Sequence, residues 1–98
     1  MAYYRCFGSG GGGIDFSKYS LVSYAYRSGT SINISTQVSD LVIISASGSG
    51  DTAAKITNVT NLDIVFADEE IYIGYANSTA INVTVNRAYG CTYAVFRT

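Results

Sequence analysis

Ala80-Ile81-Asn82-Val83-Thr84-Val85-Asn86 sets Ile81, Val83 and Val85 at every second position, with Asn82, Thr84 and Asn86 between them. Side chains along a strand point alternately to opposite faces, so a period of two predicts a strand with one apolar and one polar face. The same pattern extends outward in both directions. Upstream, residues 30–36 put Ile32 and Ile34 on one face and Asn33 and Ser35 on the other, and residues 70–76 alternate Ile71, Ile73 and Tyr75 with Tyr72, Gly74 and Ala76. Downstream, Ala88-Tyr89-Gly90 turns the chain into a last strand over 91–97.

Four further segments complete the set. Residues 19–26 and 53–59 read as strands, and 62–66 shows Leu62, Ile64 and Phe66 on one side with Asp63 opposite. Residues 40–47 carry Leu41, Val42, Ile43 and Ile44 in succession, which predicts a central strand buried on both faces. Turns rich in Ser, Gly, Asn and Asp separate the strands, and no dozen residues keep a helical period. About eight short strands at ten-residue spacing predict an all-β fold, a β-sandwich with the jelly roll as its candidate form. The alternative is a short parallel β-solenoid, because Thr36-Gln37-Val38-Ser39-Asp40-Leu41 resembles Thr57-Asn58-Val59-Thr60-Asn61-Leu62 at an offset of 21 residues; a third copy is missing.

A chain of 98 residues has room for one domain, and burying roughly two-thirds of its unfolded surface requires no metal or disulfide. Residues 1–13 read as a strand-like aromatic arm followed by the glycine joint Gly8-Ser9-Gly10-Gly11-Gly12-Gly13, and residues 14–98 as the sandwich. In the arm, Tyr3, Tyr4 and Phe7 are the candidate docking residues. Proline is absent and only Lys18 and Lys55 supply lysine, so the usual guards of edge strands are scarce. Edges or faces covered by neighbouring copies are therefore expected; the alternative is a monomer guarded by bulges and short edges.

Composition excludes several function classes. The net charge is −1 and the six basic residues stand singly, which argues against nucleic acid. Apolar runs are too short for a membrane helix, and no charged-then-apolar leader opens the sequence. Histidine is absent, so the commonest general base and the Ser-His-Asp triad are missing; no catalytic, cofactor or metal residue is assigned and a non-enzyme is expected. The glycine joint formally satisfies G-x-G-x-x-G, but no helix follows it to receive a pyrophosphate. Asp68-Glu69-Glu70 reads as a solvated turn, lacking the spacing of a calcium loop.

Cys6 and Cys91 lie in the first and last strand-like segments and could form a disulfide closing nearly the whole chain; two buried thiols are favoured in a reducing compartment. Nine tyrosines in this length suggest a recognition surface, with Tyr24, Tyr26, Tyr72 and Tyr89 the candidates for exposure toward a partner protein or a cell-surface glycan. Filling of sheet faces is the plainer use for them.

The leaderless start, the glycine joint, the Ser/Asn/Tyr-rich strands and the closing run Asn86-Arg87-Ala88-Tyr89-Gly90-Cys91-Thr92-Tyr93-Ala94-Val95-Phe96-Arg97 together resemble small accessory virion proteins of tailed bacteriophages and prophages, such as fibre-tip, tail-associated or head-decoration β domains. The resemblance covers residues 17–97. It implies a homo-oligomeric structural or adhesive subunit of a larger particle, found in the virion or outside the cell after synthesis in the cytoplasm. The second expectation is a lectin-like module stacking sugars on the exposed tyrosines.

Overall fold

The computed structural model describes residues 16–48 and 50–98. A short 3-10 turn at Phe16–Lys18 leads into eight strands: β1 (Ser20–Arg27), β2 (Ser31–Ser35), β3 (Leu41–Ala46), β4 (Ile56–Val59), β5 (Leu62–Ala67), β6 (Ile71–Ala76), β7 (Ala80–Val85) and β8 (Cys91–Arg97). They form a five-stranded sheet in the order β1-β8-β3-β6-β5 and a three-stranded sheet in the order β2-β7-β4. All six strand pairings are antiparallel, as a β-sandwich requires and a parallel solenoid forbids.

The pairs β1·β8, β2·β7 and β3·β6 nest inside one another, the order produced by rolling up one long hairpin into a jelly roll. β5 departs from that order by joining the outer edge of the large sheet beside β6. The two similar segments at 36–41 and 57–62 mark the same structural task. Each carries the chain from the small sheet to the large one, with a left-handed residue in the crossover, Ser39 at φ 77° and Asn61 at φ 63°.

The core lies between the sheets. Ile32 and Ile34 of β2 and Ile81, Val83 and Val85 of β7 meet Val42 and Ile44 of β3 and Cys91, Tyr93 and Val95 of β8. β3 is the central strand of the large sheet, and Leu41, Val42 and Ile44 are wholly buried, matching the double-sided burial expected of it. Two glycines permit close approach. A Cβ on Gly74 would strike the Asp63 carbonyl of the neighbouring β5. Gly90, at φ 74°, sits against the Arg27 carbonyl and locks the β7–β8 loop onto the β1–β2 turn. There Gly29 also donates its N–H to the Ala88 carbonyl at 2.9 Å.

The edges carry the bulges that the alternative expectation names. β1, β4 and β5 are edge strands, and each carries one extra residue against its partner: Val22, Thr57 and Val65 respectively. Such bulges twist an edge away from flat pairing, so the backbone supplies the guard that proline and lysine do not. The bulge also shifts the phase of β5. Leu62 and Ile64 face the small sheet, whereas Phe66 pairs with Ile73 on the opposite face, so the expected common face of Leu62, Ile64 and Phe66 is interrupted.

Ile81 is fully buried at the middle of the small sheet, and Val38 is 62% exposed in the β2–β3 crossover. Ile81→Ala is expected to lower the unfolding free energy by about 3 kcal/mol. Val38→Ala should change it by less than about 0.5 kcal/mol, both read from urea denaturation midpoints.

Candidate functional site

The two outward surfaces of the sandwich are unlike. On the small sheet, β2, β4 and β7 present Ser31, Asn33, Ser35, Asn58, Asn82 and Thr84, and these strands contain no charged residue. The polar groups satisfy one another: the Asn82 amide donates to Ser31 Oγ at 3.0 Å and to Asn33 Oδ1 at 2.9 Å, and Thr84 Oγ1 donates to Asn82 Oδ1 at 3.4 Å. This is a hydrated face.

The outward face of the large sheet is apolar. Cross-strand register places Tyr24 beside Ala94, Ala94 beside Ile43, Ile43 beside Ile73 and Ile73 beside Phe66, an uncharged row crossing all five strands. The parallel row Leu21, Phe96, Leu41, Tyr75 ends on Asp63. Phe16 and Tyr19 lie over part of this face and bury Leu41 and Ile73. Phe16 meets Phe96 edge to face, with ring centroids 6.3 Å apart. The remainder is open, with Tyr24 68% and Leu21 58% exposed and Val22, Phe66 and Ile71 also exposed.

Beside Tyr24 this open part forms a shallow depression of about 380 Å³, floored by Ile43 and Ala94 and flanked by Ser45 and Thr92. Tyr26 stands two residues along β1 on the same face, and its hydroxyl donates to the Tyr89 carbonyl at 2.7 Å. Tyr24, Tyr26 and Tyr89 are thus exposed along the β1 side of the molecule. Tyr72, expected with them, is half-buried on the inner face of β6 and packs against the inter-sheet core, because β6 is apolar on both faces.

Other expected residues have structural tasks. Asp68 Oδ1 accepts the N–H groups of Glu70 and Ile71 at 2.8 Å each, an Asx turn between β5 and β6. Glu69 pairs with Lys55 at 3.0 Å in solvent, an exposed pair of small energetic weight. Among the described residues, no group of three or more acids or cysteines could hold a metal ion. Cys91 is a free, fully buried thiol, and burial pushes its pKa up, which suppresses thiolate chemistry. Cys6 lies outside the described residues, as do Tyr3, Tyr4 and Phe7.

One interaction had no local signal in the sequence. Asp40, 1% exposed, receives Arg97 Nε on Oδ1 and Nη2 on Oδ2 at 2.8 Å each, and the Gln37 N–H on Oδ2 at 2.8 Å. This bidentate pair ties the β2–β3 crossover to the end of β8, beneath the Leu41–Phe96 row. Fifty-seven residues separate the partners, so only the fold brings them together. The Arg97 bonds, outweighing desolvation, hold the Asp40 carboxyl below its ordinary pKa.

Comparison with known proteins returns no match to a family model, to a curated protein or to a solved structure.

Because the folded-state pKa of Asp40 is depressed, its contribution to stability is complete above the unfolded value of about 3.9 and is lost as pH falls through the folded value. Asp40→Asn should cost about 2 kcal/mol near pH 6. That gap from wild type should narrow steadily in urea titrations taken down to pH 2; a gap independent of pH would contradict the assignment.

Proposed function

We propose that this chain is a non-enzymatic structural or adhesive subunit that self-assembles through the outward face of its five-stranded sheet, on a phage or prophage particle. The observation that supports the reading is the contrast between the two outward faces. The small sheet ends in a self-satisfied amide and hydroxyl layer, whereas the large sheet leaves Leu21, Tyr24, Phe66 and Ile71 exposed around an uncharged row. Exposed apolar side chains gathered on one outward face of a folded domain mark an interaction surface. The bulges at three of the four edges direct association to the face, away from edge-to-edge pairing. The virion setting rests on the sequence resemblance.

A second reading, a glycan-binding module, draws support from the depression beside Tyr24, where an unengaged aromatic ring stands next to the Ser45 and Thr92 hydroxyls. An exposed tyrosine can stack on the apolar face of a sugar while hydroxyls hydrogen-bond to its rim.

Sedimentation velocity separates the two. The full chain should sediment as a defined multimer at tens of micromolar, and Tyr24→Asp should shift it to monomer with an unchanged circular dichroism spectrum. A full chain that stays monomeric up to millimolar concentration overturns self-assembly. If that monomer also binds a glycan array and Tyr24→Ala abolishes the signal, the glycan reading takes its place.

A further inference from the structure

Independently of the outward apolar face, we infer that β2 is a self-pairing edge: two copies join their β2 strands antiparallel about a two-fold axis at Asn33 and fuse two three-stranded sheets into one of six strands. Three of the four sheet edges are bulged, whereas β2 pairs with β7 from Ser31 to Ser35 with no shift of register. It also contains no charged residue and no proline. A regular, uncharged edge is a ready template for another strand.

Hydrogen bonding shows which groups that edge offers. The Val85 N–H donates to the Thr30 carbonyl at 2.9 Å and the Thr36 N–H to the Thr79 carbonyl at 3.0 Å, so the even-numbered residues of this segment bond to β7. Backbone groups alternate in direction along a strand, which turns the N–H and C=O of Ser31, Asn33 and Ser35 away from β7. All three residues are exposed, and among the described residues nothing accepts or donates at these backbone groups.

The sequence selects the occupant. Residues 30–36 read Thr-Ser-Ile-Asn-Ile-Ser-Thr, identical in both directions. A second copy laid antiparallel therefore sets Ser31 opposite Ser35, Ile32 opposite Ile34 and Asn33 opposite Asn33, like against like throughout. In this register every outward-directed residue falls in a hydrogen-bonded pair, and two bonds in each pair make about six across the axis. A shift by two residues leaves one of the three without an opposite number in β2.

The side chains continue what each sheet already has. Asn33 Oδ1 accepts from the Asn82 amide at 2.9 Å, which leaves the Asn33 amide N–H groups to donate elsewhere. Directly opposite residues hold their Cβ atoms about 5 Å apart, so that amide reaches Asn33 of the other copy and extends the polar layer across the axis. Ile32 and Ile34 stay in their own cores. The edges that remain on the fused sheet are the two bulged β4 strands. A strip this narrow is far below the ~800 Å² per partner of a stable interface, so alone it pairs only near about one millimolar.

Opposite charges placed on the axis test the pairing. Full-chain Tyr24→Asp, with the apolar face disabled and monomeric at tens of micromolar, should dimerise reversibly near one millimolar in sedimentation equilibrium. Adding Asn33→Lys or Asn33→Asp sets like charges opposite each other and should weaken that dimer about tenfold, with circular dichroism unchanged. Mixing the two variants one to one should restore it, because Lys then faces Asp. Asn58→Lys, the same charge on the same sheet but away from the axis, should leave pairing intact. A mixture no better associated than its components would overturn the two-fold at Asn33. A Tyr24→Asp protein monomeric at several millimolar would overturn edge pairing and leave the face reading standing. Conversely, a Tyr24→Asp protein still multimeric at tens of micromolar but dispersed by Asn33→Lys would support the pairing and remove the face reading.

Discussion

Five strands facing three is the constraint on which the rest of this structure depends. The interface between the sheets is built from β2, β7 and Ile56 of β4 on one side and β3, β6, β8 and Leu62 of β5 on the other, and its apolar layer makes the domain stable. A three-stranded sheet is too narrow to cover its partner. β5 therefore overhangs: Leu62 at its start is buried, and Ile64, which points toward the small sheet's side, is 53% exposed because nothing lies beneath it. Relocation of β5 from the small sheet's side to the edge of the large one creates both the imbalance and the broad outward face.

That outward face is treated differently from its counterpart. On β2 and β7 of the small sheet alternation is strict, so apart from Ala80 the residues turned outward are Ser, Thr or Asn and hydrogen bonds replace burial. On the large sheet, β3, β6 and β8 are apolar on both sides, and the chain spends Phe16 and Tyr19 covering only part of the consequence. The Asp40–Arg97 pair fixes the corner where that cover sits, clamping the first crossover to the last strand. Removal of Arg97 would strand the buried Asp40 charge, which a bidentate bond and a backbone N–H together hold in place.

Much of this was legible in the sequence, and the reasons are local. Each of the eight strands overlaps a segment that reads as a strand, although β4 begins only at Ile56 of the 53–59 segment, because most segments declare their faces without reference to a partner. The four successive apolar residues of β3 announced its central position. The large sheet's apolar exterior was also implicit in Ile71, Ile73 and Tyr75 alternating with Tyr72, Gly74 and Ala76, where neither set is polar. Properties that depend on pairing were hidden. Bulges at Val22, Thr57 and Val65 are defined only against a neighbouring strand, so the sequence offers guarded edges only as an alternative without placing the guards, and the phase of Phe66 is hidden for the same reason. Tyr72 is expected to face outward with the other candidate tyrosines, while β6's register turns it inward. The ion pair of Asp40 was invisible across its sequence separation.

The central claim is that the open half of the large sheet's exterior is a covered surface in the working protein. Hydroxyl-radical footprinting over a concentration series reads it directly, side chain by side chain. The account predicts that Tyr24 and Phe66 become protected as concentration rises, while Val38, exposed in the β2–β3 crossover, stays equally reactive throughout. Unchanged labelling of Tyr24 and Phe66 at every concentration would contradict it.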